Sequence, residues 1–459
     1  MSDTRGGLEL QPITHGRVLA IALPIIASNI STPIIGLVDT AVLGQLPEAH
    51  HIGAAALGAT IFTFLFWAFG FLRMGTTGLT AQAFGAENAP EVGASLARAL
   101  LIALCAGAAL ILFQMPLKMF ALGFAEGTVA VERETAIYFD IRIWSAPAAL
   151  ANYALVGWFI GLQRARTALA LQVFLNGLNA ALDAIFVMGF DWGVAGVAWG
   201  TVIAEVAAAF AGLAIAWRII NRSFALPSRS DILSAVGLSR ALSVNTDIMI
   251  RTLALLSAFS WFMIQSASSG DATLAANAIL MQLVGFSAHL LDGFAFAAET
   301  LVGAAIGARA PGRFRDAVRF SSLWAAIIAL TLAVVLFVAG GAMIDALTIN
   351  ENAREAARQT LPYAALMPAI GVAAYQLDGI FIGSTRTADM RNMMVLAAAA
   401  FFLVWHFAVP MIGNDGRWIA LLSLNVFRAA LLWVRYPALL ADAFPTRTAD
   451  RPSTTPAGQ

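Results

Sequence analysis

The sequence predicts an all-α protein that crosses a lipid bilayer about twelve times, folded as two pseudo-symmetric six-helix bundles. Three observations predict it. Of the 459 residues, 60% are hydrophobic and only 12% are charged, against roughly 25% charged in an ordinary soluble domain. The apolar residues gather into about twelve runs of the ~20 residues that span a bilayer. The chain also repeats itself. A shift of 222 residues lays YALVGWFIGLQR (153–164) on YQLDGIFIGSTR (375–386) and, without a gap, LTAQAFGAENAPE (79–91) on LVGAAIGARAPGR (301–313). Chance alignment of apolar segments does not keep one offset across two separate motifs. Six spans is an even number, so both halves enter from the same side and the repeat is parallel.

Span 1 covers 18–43 and carries Pro24, Pro33, Gly36 and one carboxylate, Asp39. Each proline removes a backbone donor and clashes one turn back, so Pro24, Pro33 and Gly36 read as a hinge. A charge inside a span costs at least ~2.5 kcal/mol to insert, so Asp39 needs a functional reason. Span 2 follows at 54–83, then spans 3 and 4 near 95–115 and 136–162, span 5 at 168–190 and span 6 at 194–217. Spans 7 to 12 fall near 242–265, 276–305, 318–340, 360–383, 392–412 and 418–437. The expected organisation is a terminal segment 1–16, a first lobe 17–217, a polar linker 218–240, a second lobe 241–437 and a disordered tail 438–459, rich in Pro and Thr. The long first span has no small-residue cleavage site and reads as a retained helix, not a signal peptide.

Charge distribution sets orientation. Loops on the N-terminal side hold seventeen arginines and the opposite loops only five basic residues, which places both termini in the cytoplasm. Lys+Arg and Asp+Glu balance at 27 each, so no overall field points to nucleic acid. A single cysteine, Cys105, excludes a disulfide framework. The five histidines are scattered and no HExxH or GxSxG motif occurs, so neither an enzyme nor a bound cofactor is expected.

Polar residues inside the spans are where chemistry is expected. In span 5, Asn176, Asn179 and Asp183 project from one helical face, and in span 6 Thr201 and Glu205 are one turn apart. If spans 1, 5 and 6 face one another, Asp39, Asn179, Asp183 and Thr201 form an oxygen-rich site for H⁺ or Na⁺, with Asn176 and Glu205 as additional members; no other metal is expected. Two neighbouring carboxylates in a low dielectric do not both ionise, so the site is expected to take up a proton. At the repeat offset Asp39 falls on Trp261, Asn179 on Phe401, Asp183 on Trp405 and Thr201 on Ser423. The second half has lost that site and has carboxylates of its own, Asp292, Glu299 and Asp378. These serve either as a substrate-attracting or second charge site, or as partners of Arg73, Arg251 or Arg428. The 30 Phe and 14 Met residues suit a forgiving cavity for flat lipophilic cations.

The segments NISTPIIGLVDTAVLGQL (29–46), LDGFAFAAETLVGAAIGA (291–308) and LDGIFIGSTRTADMRN (377–392), with Gly85, resemble the multidrug and toxic compound extrusion transporters, and within them the DinF-like branch. The resemblance runs from about Thr14 to Tyr436. It implies the MATE, or MOP-flippase-like, fold with a central cleft, in a bacterial inner membrane. It also implies export of organic cations or amphiphilic drugs in exchange for inward H⁺ or Na⁺. One pair of lobes per chain suffices for function, so a functional monomer is expected. The branch's cation site uses a span 1 Asp, a span 5 Asn and Asp and a span 6 Thr, which fall on Asp39, Asn179, Asp183 and Thr201. The NorM-like branch favours second-lobe carboxylates including one in span 10, and Asp378 is its counterpart. The span 7 glutamate of that branch is missing here, where Asp247 and Arg251 stand instead. The alternative is a flippase for lipid-linked precursors, which would line its cleft with many arginines; an integral-membrane enzyme is a more distant reading.

Overall fold

In the computed structural model, residues 12–44, 50–123 and 128–445 are described, without the side chains of residues 32–35, 37 and 40. The chain is helical, as it must be where no water satisfies the backbone. In order the helices are α1 (His15–Leu43), α2 (His50–Trp67), α3 (Phe71–Gly85), α4 (Ala89–Leu112), α5 (Gln114–Gly123), α6 (Val129–Arg142), α7 (Ala146–Gly161) and α8 (Ala165–Asp183). They continue with α9 (Gly193–Ser223), α10 (Arg229–Ile232), α11 (Ala235–Ala267), α12 (Asp271–Gly307), α13 (Pro311–Leu347), α14 (Glu351–Gly383) and α15 (Thr387–Ala443). Ten of the described helical stretches are long and apolar enough to cross a bilayer. α1 adds another helix of 29 residues, and α15 is two helices joined across a kink at Ile412–Gly413, which makes up the twelve spans.

Two spans are interrupted. Span 2 is α2 and α3, separated by a tightened turn in which the Phe69 and Gly70 amides donate to the Phe66 and Trp67 carbonyls. Span 4 is α6 and α7, joined by a 3₁₀ turn at Ile143–Ser145, where Pro147 in the first turn of α7 supplies no amide donor. The polar stretch 218–240, expected as a linker, is mostly helical. α9 runs on to Ser223, α10 adds one turn and α11 starts at Ala235. Of the stretch 438–459, expected as a disordered tail, residues 438–443 are the end of α15; residues 446–459 and 1–11 lie outside the described ones. α1 is a continuous helix through Pro24, Pro33 and Gly36. Gly36 is exposed and Pro24 half-buried, while the Pro33 side chain lies outside those described.

The repeat is written in the backbone. Among the described non-glycine residues, Glu87, Gln163 and Asp191 have positive φ, and the residues 222 further on, Arg309, Thr385 and Gly413, have it too. These are the turns after α3, α7 and α8 and their second-half equivalents after α12, α14 and the first segment of α15.

The halves meet along a seam of α3 and α7 with α12 and α14, and its contacts obey a pseudo-two-fold. A Cβ on Gly85 would come within 2.0 Å of the Ala304 carbonyl oxygen, and one on Gly307 within 2.0 Å of the Gln82 oxygen. Within each half, Gly157 abuts the Arg73 carbonyl and Gly379 the Ala295 carbonyl, at 2.4 and 2.3 Å by the same measure. Gly161 and Gly383 repeat this with Thr77 and Glu299. Glycine is required because backbones approach where no side chain fits, as in close membrane helix pairs. Gln82 closes the seam by donating to the Gly383 carbonyl at 2.9 Å and accepting from Arg240 at 2.7 Å. The seam lies at the end of the molecule that carries the arginine-rich loops.

Candidate functional site

The N-terminal half brings Asp39, Asn179, Asp183 and Thr201 together. α8 packs on both α1 and α9, and the three helices converge away from the arginine-rich end. The Asp39 and Asp183 carboxyls lie within hydrogen-bonding reach of each other. Asn179 Nδ2 donates to Asp183 Oδ2 at 3.0 Å and to Thr201 Oγ1 at 3.2 Å. Asp183 and Asn179 are fully buried and Asp39 is half-buried. Three acceptor oxygens here, Asp39 Oδ1, Asp183 Oδ1 and Asn179 Oδ1, are buried without a hydrogen-bond partner. A group of unsatisfied hard oxygens with two carboxyls is a cradle for a proton or a small hard cation. Room for it depends on Gly200, where a Cβ would stand 2.1 Å from Asp183 Oδ1. Directly after Asp183 the helix loosens into a π-helical turn at Ala184–Gly189, a distortion frequent at functional sites.

The two additional candidates lie apart from this cluster. Asn176 donates to Ser31 Oγ at 2.8 Å and accepts from Gln172, so it ties α8 to α1 two turns from Asp39. Glu205 faces Arg142, which donates to its two carboxylate oxygens at 2.7 and 2.6 Å. Both are buried, and the Arg142 guanidinium also lies 5.4 and 5.3 Å from the Phe62 and Phe66 ring centroids. Arg142 therefore neutralises Glu205, and the Asp39–Asp183 pair has no ion-pair partner of its own among the described residues.

In the C-terminal half the second of the two alternatives, pairing with buried arginines, describes Asp378. Asp378 does not line an open cavity: its Oδ2 accepts from Arg251 and, at 2.6 Å, from Arg428, all three buried. Asp247 is held by Arg391 at 2.5 Å and Thr387 at 2.9 Å. Glu299 is 0% exposed in the seam, and Asp292 is half-buried near Arg73. A cavity of about 780 Å³ does open between the starts of α11 and α15, lined by Arg240, Asp247 and Asp389 among others, and none of Asp292, Glu299 and Asp378 borders it.

The family model for MatE matches twice, over residues 24–185 and again over 248–409. The chain belongs to the MatE family. It is 41% identical over 419 residues to DNA damage-inducible protein F of Escherichia coli, covering 91% of each chain. It is also 26% identical to a probable multidrug resistance protein NorM of Bradyrhizobium diazoefficiens, covering 92% of each. Among solved structures, a MATE protein in the bent conformation superposes with a TM-score of 0.83 at 19% identity, covering 93% of this chain and 96% of that one. This MatE chain is thus a multi-pass membrane transporter and not an enzyme.

Reading the sequence missed Arg142, which sits at the break between α6 and α7. The available signal was an arginine in span 4 together with a glutamate in span 6, since a lone buried charge in either span would be costly.

Proposed function

We propose that this MatE transporter exports lipophilic or cationic small molecules, multidrug substrates among them, in exchange for an inward-moving H⁺ or Na⁺ that binds at Asp39, Asn179, Asp183 and Thr201. One observation carries the reading: two carboxyls from separate helices face each other among unsatisfied buried oxygens, while the nearest arginine already serves Glu205. Two such carboxyls share a proton or a cation, because both cannot stay ionised and unpaired at that distance. Binding removes charge from the α1–α8 contact. That lets α1 bend near Pro24 and Pro33, which shrinks the cleft and expels substrate outward. Coupling then requires that cation and substrate favour different states. The fold class and the arginine-rich loops on one side support a chain with both termini cytoplasmic in a bacterial inner membrane. Each chain contains both halves of the seam, so a monomer suffices.

The test is ethidium efflux from proteoliposomes under an imposed pH gradient and, separately, a Na⁺ gradient, for wild type and Asp39→Asn. Gradient-driven efflux that Asp39→Asn abolishes is the expected result, and the gradient that works identifies the ion. Undiminished efflux by the variant would sink the proposal.

A further inference from the structure

Two cavities adjoin at the arginine-rich end of the second half, away from the cation site. One of about 780 Å³ lies between the start of α11 and the first turn of α15, and one of about 580 Å³ lies beside it. They share Ala235, Ser239, Ser243 and Asp247 as walls, so together they form one groove along the first turns of α11. Small-molecule sites have volumes of roughly 300–1,000 Å³, so each part is large enough to hold a ligand.

The two ends of the groove differ in chemistry. The larger part is bordered by Arg240, Thr385 and Arg386, and the smaller by Leu238 and Leu242. Leu242 is 47% exposed at the start of a helix long and apolar enough to cross a bilayer, so the apolar end opens toward lipid. Arg391 also borders this end, with its charge taken by Asp247 at 2.5 Å. A groove that is polar at one end and apolar at the other has the form of an amphiphile.

The ion pairs set the sign of the head group. Asp247 is held by Arg391 and Thr387, Asp389 lies between Arg386 and Arg435, and Asp442 also faces Arg386. Three carboxylates are thus matched by three arginines, and Arg240 is a fourth. Its guanidinium donates to Gln82 at 2.7 Å and to Thr385 at 3.1 Å, both uncharged, and to no carboxylate among the described residues. Ser239 and Ser243, one turn apart on α11, put two hydroxyls on the same wall. One unmatched guanidinium with hydroxyl donors beside it suits a phosphate, and basic clefts between membrane helices on the arginine-rich side suit anionic lipid head groups.

The repeat shows that the fold does not require such a wall. The residues 222 before Arg240, Ser243 and Asp247 are Val18, Ile21 and Ile25, all buried in the core. The first half fills the place with aliphatic side chains where the second half has charge and hydroxyls.

We propose that this groove is a binding site for an anionic phospholipid of the adjoining leaflet, with its phosphate on Arg240, Ser239 and Ser243 and an acyl chain along Leu238 and Leu242. The head group then sits beside the Arg240–Gln82 contact at the closed seam. The site does not depend on which ion drives export. Native mass spectrometry of the full-length protein tests it, after incubation in detergent with phosphatidylglycerol, phosphatidylcholine or glycerol phosphate at one concentration. Wild type should retain one phosphatidylglycerol, with less phosphatidylcholine and no glycerol phosphate. Arg240→Gln should lower the retained phosphatidylglycerol about fivefold, the weight of one basic residue near an anionic head group. Ser243→Ile, which copies Ile21 of the first half and fills the groove without changing charge, should lower it as much. Arg315→Gln, at an exposed arginine of the same end that does not border the groove, should leave retention unchanged. Unchanged retention in either Arg240→Gln or Ser243→Ile would overturn the proposal, and so would equal retention of phosphatidylcholine or an equal loss in Arg315→Gln. Glycerol phosphate held as tightly as the lipid would overturn it in favour of a site for a free phosphate compound.

Discussion

In the N-terminal half, the position where α1 meets α8 holds Asp39 and Asp183. The same position in the C-terminal half, 222 residues on, holds Trp261 and Trp405, their rings 6.4 Å apart and edge to face. Asn179 is answered by Phe401, 5.6 Å from Trp405. The exchange also runs the other way. The clamped Asp378 of the second half corresponds to Val156, and its partners Arg251 and Arg428 to Asn29 and Val206. Yet the backbone devices are shared: the left-handed turns recur at the same offset, and so do the glycines of the seam. Duplication has kept what shapes the helices and divided what does the chemistry. One half has an unsatisfied oxygen cluster, and the other clamps Asp378 between two arginines and fills the matching site with aromatic rings, whose burial and edge-to-face geometry stabilise it.

The largest effects should fall on that division. Asp183→Asn is expected to abolish cation-driven efflux as Asp39→Asn does, whereas Trp405→Phe at the equivalent place should retain it, altering at most which substrates compete; transport by both in proteoliposomes checks the contrast. Retained drive in Asp183→Asn, or lost drive in Trp405→Phe, would break it. Next come the ion pairs. Arg142→Ala leaves Glu205 buried and uncompensated, at a cost of about 3–5 kcal/mol, and should depress the thermal midpoint in detergent; Arg142→Met/Glu205→Leu should recover most of it.

A smaller effect is expected at the seam. Gly85→Ala and Gly307→Ala are related by the pseudo-two-fold, so each should shift the population away from the closed seam to a similar degree. Spin-label distances across the arginine-rich end would measure it, and a several-fold difference would show that the halves do not share the seam equally.

The smallest effect concerns α10, outside the spans. Hydrogen bonds from the Ser228 hydroxyl and amide hold the Asp231 carboxyl below its ordinary value. For a depressed carboxyl the stabilisation is present above the ordinary value and disappears as pH falls through the lowered one. The turn at 228–232 should thus loosen only in strong acid, and Ser228→Ala should move that loosening to higher pH, as read by hydrogen exchange.

Much of this was legible in the sequence. The spans follow from apolar run length, and the repeat from one constant offset. Asp39, Asn179, Asp183 and Thr201 were recognisable because a polar residue in a span stands out and helical spacing fixes its face. What periodicity does not encode is which residue on a distant helix it meets. Glu205 looked like a member of the cation cluster because it shares a face with Thr201, but Arg142, 63 residues earlier, takes it. For Asp378 the sequence leaves two roles open, substrate attraction or pairing with Arg73, Arg251 or Arg428, and only the packing of α11 and α15 on α14 selects Arg251 and Arg428. Polarity marks the stretch 218–240 as lying at the membrane surface but does not say whether it is helical, and a helix that has left the bilayer can simply continue, as α9 does to Ser223.

The paired approaches of Gly85 to Ala304 and of Gly307 to Gln82 have the form of an isologous contact, in which residue i of one partner meets residue j of the other and j meets i. An interface of that form is self-complementary by construction. A single half of this chain would carry a surface shaped to receive another copy of itself, and the covalent join through 224–234 fixes the two as one assembly at any dilution. Fusion also freed each copy to mutate alone, which a symmetric pair encoded once could not do. The Asp–Asp pair in one half and the Trp–Trp pair in the other are a product of that freedom.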